Sequence, residues 1–252
     1  MADALKEELT RTMLHQGAYE VRVCDPRVGF EHGIPSRRPL DLAPECRSVL
    51  VWAIAKAPYA NDTYVGPLRS QVDPQRLGQL PLHKLDPDYA LRRTDDYFTL
   101  AVELVADRLL RSHGYRVFAV PPDKPQAKLS AYESGLAVYG RAGFVLHPVL
   151  GNRIRLGLLL TDAELAPDPK LAGFDPCAKC WACINACPAK AHDREKVYPA
   201  SFDRPKCEAR RKELDAESVY CNRCWAVCPA GKVKDDQLYS VVQPHIYPRR
   251  PE

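Results

Sequence analysis

Eight of the ten cysteines fall between positions 177 and 228. Cys177, Cys180, Cys183 and Cys187, with Pro188 behind the last, form a C-x2-C-x2-C-x3-C-P run. Cys221, Cys224 and Cys228, followed by Pro229, form a second run, and Cys207 stands alone between them. This is the ligand spacing of proteins that hold two four-iron clusters. Soft thiolates bind iron, four to each cube. Thiolates two residues apart wrap one cube on a tight loop, and the cysteine before the proline lies too far round to join them. The spacing therefore assigns one [4Fe-4S] cluster to Cys177, Cys180, Cys183 and Cys228. The second goes to Cys187, Cys207, Cys221 and Cys224. The two runs are an imperfect repeat, with Trp181 and Trp225 each following a cysteine; each indole is expected to cover one cluster.

Structural zinc is the competing reading, because paired C-x2-C motifs also build zinc sites of four cysteines. Zinc sites seldom use three cysteines in a C-x2-C-x2-C run with C-x3-C-P behind it. Disulfides fit less well, since nothing marks the chain as secreted.

The chain has 252 residues, 46% of them hydrophobic and 27% charged, enough for one large domain or two modest ones. No apolar run approaches the length of a membrane span. The charged N-terminal segment is no signal peptide, and Arg37-Arg38 lacks a following apolar stretch, so a cytoplasmic protein is expected. A net charge of +4 would be offset by ligating thiolates, and argues only weakly for nucleic acid.

Periodicity predicts a helix over 3–16, with Leu5, Leu9 and Met13 on one face and Gly17 as its cap. A short strand is expected over 19–23 and a buried strand over 48–55. Residues 58–87 read as a long, proline-rich ordered loop. A helix is predicted over 94–113, capped by Thr94, with Leu100, Leu104, Val105 and Leu109 as its apolar face and Gly114 at its end. A strand over 115–120 and a helix over 128–139 follow. Strands over 144–147 and 154–160 are expected to form a hairpin through Gly151-Asn152. This alternation indicates an α/β (α+β) domain over 1–164, followed by a double [4Fe-4S] ferredoxin-like module and tail over 165–252.

In this order, the parts resemble the epoxyqueuosine reductase and reductive dehalogenase group of corrinoid-dependent iron–sulfur reductases. The matching stretches are Tyr89 to Tyr97, Gly135-Leu136 through Gly140-Arg141, His147-Pro148 with Gly151, Leu160-Thr161-Asp162 with Leu165, and the cysteine pattern including Cys207. The resemblance implies cobalamin in the N-terminal domain beside one cluster. It implies that Lys128, Ser130, Tyr132, Tyr139 and Arg141 face the corrinoid, with Tyr132, Tyr139 or Asp123 as proton donor. Gly135 and Gly140 would let backbone approach a flat ligand. The bland alternative is that the tyrosines are core, Lys128 and Arg141 solvated surface, and the glycines a helix-to-strand turn. Where epoxyqueuosine reductases resemble one another in an acidic residue, fourteen positions before Gly135, this chain has Pro121. It also stops soon after the clusters, where those enzymes carry helical repeats that help hold tRNA.

Three functional classes follow. One is a reductase passing low-potential electrons to the expected cobalamin, for reduction of a small molecule or modified nucleoside. The second is a dicluster electron-transfer protein serving a partner corrinoid or redox protein. The third is a nucleic-acid module with structural clusters. The size of the N-terminal domain favours the first. Pro121 and the missing repeats speak against tRNA. An electron donor such as a ferredoxin or flavodoxin is implied, and no membrane. The seven histidines show no metal spacing; His192 reads as surface and His147 as a strand end. Cys24 and Cys46 read as buried small hydrophobes. No dinucleotide-binding or phosphate-loop motif is present.

Overall fold

The computed structural model describes residues 2–31, 33–55, 87–118, 120, 126–196, 201–216, 221 and 223–231. The expected loop over 58–87 therefore lies outside the described residues apart from Pro87, and so does the proton-donor candidate Asp123.

Helix α1 (Ala2–His15) leads into β1 (Glu20–Cys24), a short helix α2 (Pro39–Leu42) and β2 (Ser48–Ala55). Helix α3 (Pro87–Ser112), β3 (Val117–Phe118), α4 (Ala127–Glu133), the pair β4 (Val138–Tyr139) and β5 (Val145–Leu146), and β6 (Ile154–Thr161) follow. Then come the helices α5 (Ala182–Asn185), α6 (Arg204–Ala216) and α7 (Arg223–Ala226).

Four strands form one sheet in the order β1-β2-β6-β3, and every neighbouring pair is antiparallel. The domain is thus α+β with an antiparallel sheet. Strand β2 is buried on both faces, as its unbroken apolar run demands. Val49, Val51 and Ala53 pack with Ala131, Leu136 and Leu150 on one side. Leu50, Trp52 and Ile54 pack with Leu5, Leu9, Met13, Val102, Ala106 and Leu110 from α1 and α3 on the other. Trp52 lies opposite Gly157 in the β2–β6 register, and any side chain at 157 would occupy the space of its indole.

Helix α1 matches its prediction: Leu5, Leu9 and Met13 are all buried, and the Ala18 N–H closes the end on the Met13 carbonyl. Helix α3 corrects its prediction. It starts at Pro87 rather than after Thr94, and its buried face is Val102, Ala106 and Leu110. Leu100 and Leu104 are 47% and 46% exposed. Helix α4 is shorter than expected and gives way to β4. The predicted hairpin does not form. β5 pairs with β4, β6 pairs with β2 and β3, and Gly151 makes only a bridge back to His147. Cys24 and Cys46 are buried within the core, as their reading required.

Among the described residues, no helix is long and apolar enough to cross a membrane.

Candidate metal centre

All ten cysteines are free thiols, and all eight of the C-terminal group are partly exposed. The turn from Asp175 carries Cys177, whose N–H is held by the Asp175 carboxylate at 3.0 Å. Cys183 rides on α5, Cys207 on α6 and Cys224 on α7. Helices α5 and α7 pack against each other, which brings the two sequence runs together.

The electrostatics sort the thiols into two sets. Burial lifts the Cys183 thiol above its ordinary range, and Cys177, Cys228 and Cys180 lift it further. Burial also raises Cys228, whose thiol neighbours are Cys177 and Cys180. Cys207 is raised by burial, then by Cys187 and Cys221. Cys224 is pushed up to about 12, first by burial and then by Cys187, Cys221 and Cys207, with Cys183 acting last. Cys183 and Cys228 thus lie beside Cys177 and Cys180, and Cys207 and Cys224 beside Cys187 and Cys221. The sets meet at Cys183 and Cys224. Sulfurs so arranged repel as thiolates unless a cation lies between them, and metal binding deprotonates a thiol outright. The Ala191 N–H points at the Cys187 sulfur at 3.4 Å, a contact of the kind that tunes bound iron. As a donor set, clustered soft thiols fit iron–sulfur ligation in their chemistry. Among the described residues, no three or more His, Cys, Asp or Glu converge on a single ion.

The cysteine-rich segment docks on the sheet domain at two places. At one, the Asn152 side chain donates to the Trp225 carbonyl at 2.7 Å, and the Trp225 indole N–H donates to the Asn152 carbonyl at 3.2 Å. Beside them Gly151, at φ +62°, meets the Ala230 carbonyl so closely that a Cβ would collide with it. The Gly151-Asn152 pair serves this contact in place of the expected hairpin. At the other, Arg141 on the β4–β5 turn reaches the loop of Cys177 and lies over Trp181.

A cleft of ≈ 500 Å³ opens there, lined by Tyr132, Tyr139, Gly140, Arg141, Phe174 and Cys177, and by Asp193, Lys196 and Ser201 among others. The tyrosine rings are 5.6 Å apart, and the Lys170 ammonium sits 5.2 Å from the Tyr132 ring. Of the residues expected near a flat ligand, the cleft thus gathers Tyr132, Tyr139, Gly140 and Arg141. It leaves out three. Lys128 donates to the Gly143 carbonyl at 2.8 Å and pins the β4–β5 turn; burial, then the nearby Arg204 charge, lowers its pKa. Ser130 is buried in α4. Gly135, in the left-handed region, lies against the Pro169 carbonyl, so its missing side chain admits the chain's own backbone.

Two residues gained importance that their sequence context hid. His147 is fully buried and joined to Glu20, not a mere strand end. His192 is half-buried, stacked on Phe202 at 5.1 Å, and burial lowers its pKa. The first was invisible because Glu20 reads as an ordinary outward residue of β1; the second because one histidine beside a charged stretch looks solvated.

Fold and site together show an antiparallel α+β domain followed by a cysteine-rich segment, with Cys177 of that segment lining a cleft against the domain. No family model matches the chain. It is 33% identical over 142 residues to a tetrachloroethene reductive dehalogenase of Desulfitobacterium hafniense, covering 50% of this chain and 26% of that protein. It is 28% identical over 129 residues to an epoxyqueuosine reductase of Staphylococcus aureus, covering 46% of this chain and 32% of that one. The matched stretch thus spans about a quarter to a third of these curated relatives. Among solved structures, an epoxyqueuosine reductase aligns over 97% of this chain and 70% of its own, with TM-score 0.63 and 19% identity. A catabolic reductive dehalogenase aligns over 96% of this chain and 34% of its own, with TM-score 0.69 and 15% identity. At these identities the structural likeness speaks for the fold. The chain is a relative of the epoxyqueuosine reductases and the reductive dehalogenases.

Proposed function

We propose that this chain is an iron–sulfur oxidoreductase that passes low-potential electrons through two [4Fe-4S] clusters to the cleft beside Cys177. One observation carries the reading: Cys177 lines the cleft, and its thiol set neighbours the other through Cys183 and Cys224. Electrons would arrive at the set of Cys187, Cys207, Cys221 and Cys224 from a donor of the ferredoxin or flavodoxin kind. They would cross where Cys183 faces Cys224, and leave from the set of Cys177. The residues from 165 onward act as the ferredoxin-like module and 1–164 as the cofactor and substrate domain. With no cysteine in a disulfide, a reducing compartment such as the cytoplasm suits the protein.

The cleft's occupant in this reading is a corrinoid, since one dehalogenase of the same fold, with TM-score 0.67, is described as catalysing B12-dependent dehalogenation. When bound, a corrinoid would supply a low-valent metal able to reduce a small molecule or modified nucleoside. The chain's own part is to orient and to exclude water. Phe174 and the tyrosine rings provide apolar walls beside Gly140, and a Tyr132 or Tyr139 hydroxyl delivers the proton that accompanies reduction.

The test is anaerobic reconstitution. About eight irons and about eight sulfides per chain are expected. Stoichiometric zinc, or iron for a single cluster, overturns the reading. Full clusters without cobalamin binding would leave the chain as an electron-transfer protein for a partner corrinoid.

A further inference from the structure

Arg141 stands at the turn between β4 and β5, where the sheet domain meets the first thiol set. Its Nε donates to the Cys177 carbonyl at 3.0 Å and its Nη2 to the Ala178 carbonyl at 3.5 Å. Its guanidinium carbon lies 3.8 Å from the centre of the Trp181 ring, within cation–π range. The same side chain lines the cleft. Three separate contacts thus hold a permanent positive charge between the cleft and the loop that carries Cys177, Cys180 and Cys183.

We propose that Arg141 is a positioning residue for electron transfer, whose fixed charge raises the reduction potential of the cluster nearest the cleft. The inference rests on the cluster reading above. Reduction adds an electron to a cluster, so a cation held beside it favours the reduced state. Arg141 stands beside the Cys177 set, whereas Arg211 stands beside Cys207 in the other. Removing the Arg141 charge should therefore move the potential of one cluster alone. Arg194 offers no equivalent. It lies 5.7 Å from the Trp181 ring and its guanidinium bonds Asn185 in α5, not the carbonyls of the Cys177 loop.

Arginine is required for the geometry and a cation for the potential. Lysine keeps the charge but loses the planar fork and the stacking face. The measurement is an EPR-monitored redox titration of anaerobic, iron-loaded wild type, R141Q and R141K. In R141Q one of the two cluster signals moves to a more negative potential and the other stays; in R141K the same signal moves less. Loss of about four irons from R141Q with about four retained would make the residue a structural brace of one loop, and overturns the charge assignment. An R141Q protein with full iron and both potentials unchanged overturns it, as does an R141K shift equal to that of R141Q. A wild-type protein lacking the two clusters fails the underlying reading instead.

Discussion

His147 presents its Nε2 to the Glu20 carboxylate at 2.9 Å, while its Nδ1 accepts the Val149 and Leu150 N–H groups at 3.1 and 3.2 Å. Two backbone donors on Nδ1 assign the ring proton to Nε2, which donates to Glu20. The ring is 1% exposed and packs edge-on against Tyr19 at 5.2 Å. One residue of β1 thereby fixes the turn that ends in Gly151 and Asn152, the seat of the cysteine-rich segment.

Replacing His147 by Ala is expected to destabilise the protein by about 3 kcal/mol, through a buried cavity and stranded N–H groups. Thermal melts of iron-loaded protein measure it. Glu20 adds a pH dependence. Burial works against its carboxylate, but the hydrogen bonds from His147 and Arg22 outweigh burial and hold its pKa below the ordinary value. A lowered folded pKa adds stability above the unfolded value, and that stability is lost as pH falls through the folded value. Wild type should therefore lose stability below about pH 4.3 faster than Glu20→Gln, which keeps an acceptor for His147 but cannot titrate. Parallel acid curves for the two proteins would count against the pair.

Gly151→Ala should unseat the second cysteine run. The new Cβ meets the Ala230 carbonyl, and the φ of +62° is one that L side chains rarely adopt. A cost of about 1–2 kcal/mol is expected. Because Cys228 lies two residues before Ala230, the variant should lose about four irons of eight. Iron analysis after anaerobic reconstitution decides this, and unchanged content would mean the contact does not hold the run.

How far the chain was legible follows from what each signal depends on. Strand β2 and helix α1 were readable because each has a strong apolar period and a clear end. Helix α3 was misread because its buried stripe centres on Ala106, a small residue, while Leu100 and Leu104 look like the better core and face outward. The partners of β4, β5 and β6 were lost because a Gly-Asn pair looks the same in a hairpin turn and in a docking loop. The grouping of the thiols into two sets is a reading of their spacing. The cleft was legible only in part: Tyr132, Tyr139, Gly140 and Arg141 share a segment, but Phe174, Lys196 and Ser201 reach it from a distant one.

Crossed ligation gives two matched pairs of variants. Cys187→Ser should damage the same cluster as Cys221→Ser, and Cys228→Ser the same cluster as Cys177→Ser. The thiol neighbourhoods of Cys224 and Cys183 motivate the pairing. EPR of the remaining cluster in each variant checks it. Matching spectra within each sequence run, rather than across runs, would reject the crossing.

The cysteine-rich segment should depend on metal for its order. Among its described residues from 177 onward, only Ala191, Ser201 and Ala230 are buried. So little apolar burial cannot offset the entropy of ordering the chain, and ligation must supply the difference. The connector before it is held independently. Lys6 pairs with Asp168 at 2.8 Å, Asp168 accepts the Val23 N–H, and Lys170 pairs with the buried Glu133 at 2.6 Å. Chelating the iron should therefore open protease sites after about Gly173, and not at Leu165 where the buried connector begins. Mass spectrometry of the fragments locates the first cut. Simultaneous loss of both parts would make the chain one cooperative unit.

The cleft reading predicts that iron-loaded protein binds cobalamin. Absorbance and calorimetric titration measure this, and no binding at high micromolar cobalamin would remove the corrinoid from the proposal. Gly140→Val locates the site. A Cβ there meets the buried Leu146 side chain at 2.8 Å, so valine strains the β4–β5 turn. That turn carries Tyr139 and Arg141, which line the cleft of ≈ 500 Å³. Binding should weaken about tenfold or more, since misfit against a flat ligand readily costs ~1–3 kcal/mol. Iron content should stay at the wild-type level, because the atoms nearest such a Cβ belong to Leu146 and Phe144 rather than to a thiol. Gly135→Ala separates this from general damage. Its Cβ meets the Pro169 backbone outside the cleft, so it should lower thermal stability while the protein that remains folded binds cobalamin as wild type does. Equal loss of binding in both variants would place the corrinoid elsewhere.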